Sequence, residues 1–271
     1  MTRTLTFGFG RNWLSYSERA LDQEKVNRAR QAFAALFEGI EVRDRRFLDI
    51  GFGQGLPLFL AQEAGANVFG IDVDSLCLAA LAATHRFFPA AKLPRTQLIS
   101  ILDPNFVREQ CAAGGFDIVH SWGVLHHTGQ MWNAIGNAAT LVKDGGILVI
   151  SIYNRHWTSP FWRAFKFLFN HLAYPLQEGL VSVCYPLFKK RARALAREES
   201  TRGMDLRHDV RDWLGGYPYE YAGLADVRQK LTAMGFDLVR CQPVLGLTGC
   251  NEFVFRKGQA LRPAPATRQM A

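Results

Sequence analysis

Three aspartates, Asp49, Asp72 and Asp103, each stand at or just past the C-terminal end of a short apolar run. Asp49 directly precedes a glycine turn containing Gly51, Gly53 and Gly55, in RFLDIGFGQG. A carboxylate there repels a pyrophosphate and suits a ligand bearing an ammonium or sulfonium charge. Asp72 lies 21 residues after Gly51, where a carboxylate can accept both hydroxyls of a ribose. Asp103, at the end of SILD, is placed to accept a hydrogen bond from an exocyclic adenine amine. Each aspartate alone reads equally as a helix N-cap. Together they describe the grip on a nucleoside with a cationic tail. The dinucleotide fingerprint needs its third glycine where Leu56 stands, and no Gly-Lys-Ser/Thr follows, so NAD and P-loop readings fall behind. A second chemical feature is the pair His126-His127 in SWGVLHHTG, because imidazole is matched to proton transfer at neutral pH.

The elements that must position these groups alternate. Apolar positions at helical spacing run from Asp22, a plausible N-cap, to Gly39. Residues 47–50, 67–71, 97–102, 116–121 and 146–152 read as strands, with helices over 56–64, 75–85, 104–112 and 131–142 between them. The pattern predicts an α/β fold with a doubly wound, mostly parallel seven-stranded sheet. Residues 1–16 read as a lead-in rich in glycine and aromatic side chains. A helix over 224–234 and two strands, 236–244 and 251–256, around a turn with Gly246 and Gly249, predict an antiparallel C-terminal hairpin. The expected division is 1–154 as lid and nucleoside-binding core, 155–215 as a helical insertion, 216–257 completing the core, and 258–271 as a disordered tail.

A nucleoside with a positively charged tail is S-adenosylmethionine. The chain resembles the Rossmann-like (class I) S-adenosylmethionine-dependent methyltransferases: RFLDIGFGQG resembles their first motif, FGIDVD their ribose-binding acid, SILD their adenine segment, FDIVHSWGVLHHT their fourth strand and LVKDGGILVISIYN their fifth. Residues 47–153 carry that match. Outside it, FGFGRNW, DWLGGYPYEYA and GLTGCNEFVFR resemble a bacterial branch often grouped with the polyprenyl-quinone O-methylases. The resemblance implies that Asp49 and the glycine turn (Gly51, Gly53, Gly55) border the methionine half of the cofactor. It implies Asp72 on ribose, Leu102 and Asp103 on adenine, Ser121 and Trp122 beside the cofactor, and Asn12 and Trp13 in a lid over it.

Methyl transfer is an in-line displacement, and an oxygen nucleophile needs a base. His126 and His127 are the catalytic candidates; neighbours point in different directions, and His126 is preferred. The competing reading has the pair packing the loop. Tyr153, Asn154 and Tyr217 are candidates for the acceptor wall. No histidine has metal-ligand spacing, and no metal is expected.

Composition sets the remaining limits. The formal charge is +8 over 271 residues, and 155–202 holds nine Lys/Arg against three Glu. Five cysteines without CxxC spacing, no secretory h-region and no long uncharged apolar run lead to the expectation of a cytoplasmic protein. In HWTSPFWRAFKFLFNHLAYPL, a helix from Pro160 gathers Arg163, Lys166 and Asn170 into one polar stripe opposite a wide apolar face. That face suits a core or active-site cover, an interfacial membrane helix aided by KKRAR within 157–193, or a dimer surface. The leading functional expectation is methylation of a small or lipid-like acceptor at a phenol or quinol oxygen. The alternatives are an RNA methyltransferase using the basic insertion, with nucleic acid otherwise unlikely as a partner, and a cofactor-binding, membrane-associated scaffold.

Overall fold

The apolar runs assemble into one sheet. In the computed structural model, which describes residues 6–194, 203–244 and 249–259, the strands are β1 (Arg46–Ile50), β2 (Asn67–Asp72), β3 (Arg95–Leu98), β4 (Phe116–Trp122), β5 (Val142–Tyr153), β6 (Phe236–Gln242) and β7 (Cys250–Lys257). Their order is β3-β2-β1-β4-β5-β7-β6. The first five are parallel, and β7 runs antiparallel to both β5 and β6. The predicted doubly wound sheet with a terminal hairpin is therefore what forms, and Gly246 of its turn lies outside the described residues. Central strands are apolar on both faces: Phe47, Leu48, Ile118, Val119, Leu148, Val149 and Ile150 are all buried, as a sheet covered on both sides requires.

Helices α1 (Phe9–Arg19), α2 (Gln23–Leu36), α3 (Leu56–Glu63) and α4 (Leu76–Thr84) serve one side. There Tyr16, Val26, Leu58 and Cys77 share one apolar cluster, and Phe37, Ala61 and Val149 share another. The other face takes α5 (Pro104–Ala112), α6 (Met131–Thr140) and α10 (Leu224–Thr232), through Phe106, Ile135, Val227 and Leu231. Chain direction across the sheet reverses between β1 and β4, so the C-terminal ends of those strands open a crevice. Asp49, Asp72 and Trp122 all sit on that rim.

Two elements differ from their sequence reading. Residues 9–19 are helical, not a lead-in. Gly8 and Gly10 mask the periodicity, and the helix is held by tertiary contacts: Gly10 N–H donates to Asp74 Oδ2 (2.9 Å), and a Cβ on Gly10 would strike that carboxylate. β3 ends at Leu98, not Leu102. It pairs only with β2, whose last residue is Asp72, so no partner exists further along.

The insertion forms α7 (Ser159–His171), α8 (Tyr174–Ala194) and α9 (Leu206–Gly215). Its orientation reverses the simple amphipathic reading. Lys166 is 1% exposed, whereas Phe161 and Leu168 are 65% and 64% exposed. The reason lies at the end of α9, whose last carbonyls have no helical partner. Lys166 Nζ donates to the Trp213 carbonyl, and Asn170 Nδ2 donates to Gly215 O (2.6 Å). The polar stripe of α7 thus caps α9, cation toward the negative end of the helix dipole. On this basis Asn170→Leu, which makes α7 look more uniformly apolar, is expected to lower the unfolding free energy by about 1–3 kcal/mol; urea melts showing no loss would refute the capping role.

Candidate active site

A cavity of about 1030 Å³ occupies the crevice and extends under the insertion. Asp49 is 2% exposed on its wall. His120 Nδ1 donates to its Oδ1 (2.7 Å), with the His120 ring stacked between Phe47 and Trp122. Its second oxygen, Oδ2, has no hydrogen-bond partner among the described residues. A buried carboxylate oxygen left this way calls for a donor from a ligand.

The glycine turn is tied into the fold by its own backbone. Its N–H groups stay inside the protein: Gly51 N–H to Ile71 O (2.7 Å), Gly53 N–H to Asp72 Oδ2 (3.0 Å) and Gly55 N–H to Phe52 O (2.7 Å). What the turn supplies is close approach. A Cβ on Gly51, at φ +73°, would meet Val124, and one on Gly53 would lie 2.9 Å from Trp13 Nε1. Trp13 thereby packs against the turn. Asn12 points elsewhere, donating to Asp212 Oδ1 (2.8 Å) and His208 O (3.1 Å). Asp72 lines the cavity while accepting from Gly53 and Asp74 N–H. Burial raises its pKa against those hydrogen bonds.

Of the sequence candidates, Asp49, Gly51, Asp72, Leu102, Trp122, His126, His127, Tyr153 and Tyr217 line this cavity. Gly53, Gly55, Asp103, Ser121 and Asn154 are not part of its wall. Asp103 is the N-cap of α5, accepting from Asn105 and Phe106 N–H. Ser121 is buried and donates to Ile50 O (3.2 Å). Asn154 is held by Asn251 Nδ2 (3.0 Å) and an isolated bridge to Ala222. Ser100 replaces Asp103 as the polar side chain on the wall beside Leu102.

The two histidines also part ways. His126 Nδ1 accepts from Tyr153 N–H (3.3 Å), and the ring also bonds the Ser151 backbone. The Nδ1 of His126 is thus engaged by the protein's own backbone. His127 Nδ1 donates to Pro218 O (2.6 Å), leaving Nε2 available. Burial, then the nearby His127 and Lys166, hold His126 well below the usual imidazole range. Burial, then Lys166, bring His127 to about 3.

Sequence reading missed the contribution of α9. Asp209 and Asp212, one helical turn apart, both line the cavity, and the DVRD spacing after the N-cap Asp205 is the signal that marks them. Burial, then the charges of Asp212 and Asp205, raise Asp209 to about 8. Burial raises Asp212 to about 7, against the Asn12 hydrogen bond, Arg211 and Lys166. Behind them Lys166 packs on the rings of Tyr153, Trp213 and Tyr219 at 5.0–5.5 Å, and burial lowers it to about 7.

Known proteins share this framework. A family model described as a methyltransferase domain matches residues 19–215. A ubiquinone biosynthesis O-methyltransferase of Rhodopseudomonas palustris (strain HaA2) is 36% identical over 117 residues, 42% of this chain and 42% of that protein. The chain thus spans less than half the length of that relative. Among solved structures, a magnesium protoporphyrin IX methyltransferase from Synechocystis PCC 6803 with bound SAH has a TM-score of 0.52 at 16% identity, covering 87% of this chain and 83% of its own. The [4+2]-cyclase SpnF has a TM-score of 0.54 at 14% identity, covering 90% and 84%. These two likenesses are of fold, and their differing titles show that the fold hosts more than one chemistry.

The histidine geometry carries its own check. Both rings are held neutral in the fold, while the unfolded chain takes up protons near pH 6.5. Their contribution to stability is therefore lost as pH falls below about 6.5. In an imidazole NMR titration His126 and His127 are expected to keep neutral-ring shifts from pH 8 to pH 5; protonation of either in that window would contradict the burial described.

Proposed function

This chain belongs to the methyltransferase-domain family, and from that premise we propose that it moves a methyl group from S-adenosylmethionine to a hydroxyl oxygen of a small or lipid-like phenol or quinol. The observation that carries the cofactor assignment is the unpartnered Asp49 Oδ2, buried in the cavity wall. It fits the ammonium of the methionine half. Asp72 fits the ribose hydroxyls, and Ser100 to Leu102 fit the edge of the base. When bound, the cofactor supplies an electrophilic methyl group on a sulfonium. The chain's part is to orient the acceptor and keep water out, and Trp13 over the glycine turn serves the second purpose.

The acceptor class rests on the far half of the cavity. Phe188, Met204, Leu206 and Val210 of the insertion give it an apolar wall, while Tyr153, His127 and Tyr217 bring polar atoms to its inner end. An aromatic head with a hydrophobic extension fits both. The relative named for ubiquinone biosynthesis supports an oxygen of the quinol type.

The outward stripes of the insertion support a peripheral membrane role for this reading. Phe161 and Leu168 follow helical spacing on one side of α7, with Trp157 in the turn just before it, and Leu176, Val183 and Leu187 do so on α8, all well exposed. Lys189 and Lys190 follow directly, which suits anionic headgroups. Among the described residues no helix is long and apolar enough to cross a membrane.

Two measurements test the proposal. Asp72→Ala is expected to weaken S-adenosylmethionine binding about 10- to 100-fold by calorimetry, from the loss of charge-assisted hydrogen bonds; an unchanged affinity would remove the ribose contact. The double variant Phe161→Ser/Leu168→Ser is expected to keep cofactor affinity and to lose flotation with anionic liposomes. Equal flotation of variant and wild type would end the membrane role.

A further inference from the structure

We propose that Asp209 and Asp212 of α9 form the subsite that holds the acceptor's hydroxyl oxygens and takes the proton released in methyl transfer, a role that rests on the methyl-transfer reading above. The reaction needs a proton acceptor, and the loop histidines are poorly suited to it. His126 Nδ1 is held by the Tyr153 N–H, and burial disfavours the imidazolium of both rings. The α9 carboxylates are differently placed. Residues three apart on a helix are neighbours, roughly 5–6 Å between Cβ atoms, and both of these line the cavity.

Their partners divide the labour. Asn12 of α1 donates to Asp212 and fixes it. Asp209 has no hydrogen-bond or ion-pair partner among the described residues, although burial penalises its charge. Other groups acting on the pair are Asp205 and Arg211 on the same helix and Lys166 from α7. The pair in turn acts on the Tyr153 hydroxyl at the end of β5, and Asp209 acts on Tyr16 of α1. Two carboxyls raised to about 8 and about 7 retain roughly one proton between them at neutral pH. One then donates while the other accepts, which complements two adjacent oxygens such as those of an ortho-diphenol or its monomethyl ether.

The step balances simply. As the acceptor oxygen forms its bond to the methyl carbon, the carbon–sulfur bond breaks with its electron pair going to sulfur. The hydroxyl proton passes to the ionised carboxylate of the pair.

A pair kept against burial has a signature that a structural ion pair lacks. Both groups hold protons in the fold that the unfolded chain releases near pH 4. Stability is therefore lost as pH rises from about 4 to 8. The experiment uses the full chain, Asp209→Asn and Asp212→Asn, saturated with S-adenosylhomocysteine and titrated with catechol, alongside thermal melts at pH 4.5 and 8. The expected result is that each variant still binds S-adenosylhomocysteine, binds catechol at least 10-fold more weakly, and melts roughly 2–4 °C higher than wild type at pH 8 but not at pH 4.5. The proposal is overturned if the variants bind catechol as wild type does, if they melt lower at pH 8, or if loaded wild type does not bind catechol. Failure of wild type to bind S-adenosylhomocysteine would instead overturn the methyl-transfer reading itself.

Discussion

The carbonyl groups at the end of α9 need donors, and the protein supplies them from α7. That requirement turns a lysine and an asparagine inward and leaves Phe161 and Leu168 facing out. On α9, Asp209 and Asp212 face the cavity while Leu214 packs into the apolar cluster with Phe169 and Val181. One pair of side-chain-to-backbone contacts thus sets the outer surface of the insertion.

The sheet and the nucleoside side were readable because their signals are local. Apolar runs of strand length, glycines at positive φ and an acid at the end of β2 each follow from short-range rules. The misses were tertiary. α1 is hidden by Gly8 and Gly10, the second of which lets Asp74 approach. β3 stops where its neighbour stops. Asp103 and Asp49 both read as acids at the end of an apolar run, yet one lies beyond its strand and caps a helix, while the other lies within β1 and keeps a bare oxygen in the cavity. Which fate an aspartate meets depends on whether the next helix starts within two residues of it, and the sequence expectation weighed only the combination. The α9 acids went unnoticed because a D-x-x-D pair on a helix of mixed charge reads as a solvated face until its neighbours are known.

The cavity has two regimes. Around the glycine turn, polar groups are tied to backbone and leave little freedom. Toward the insertion, the wall is apolar except for groups whose burial holds them near neutral charge: Asp209, Asp212 and, behind them, Lys166. Such groups are costly to fold around, and a protein that keeps them trades stability for a site whose protons are easily moved.

The last strand in the chain does not occupy the sheet's edge. β7 is wedged between β5 and β6, hydrogen-bonding along β5 from Ile147 to Tyr153. During translation β5 must therefore wait with one row of backbone groups unpaired until the chain has been made through residue 257, some hundred residues after β5 itself. A nascent chain that has not reached β7 offers that open strand to any β-prone neighbour, so demand for chaperone protection lasts until β7 has been made.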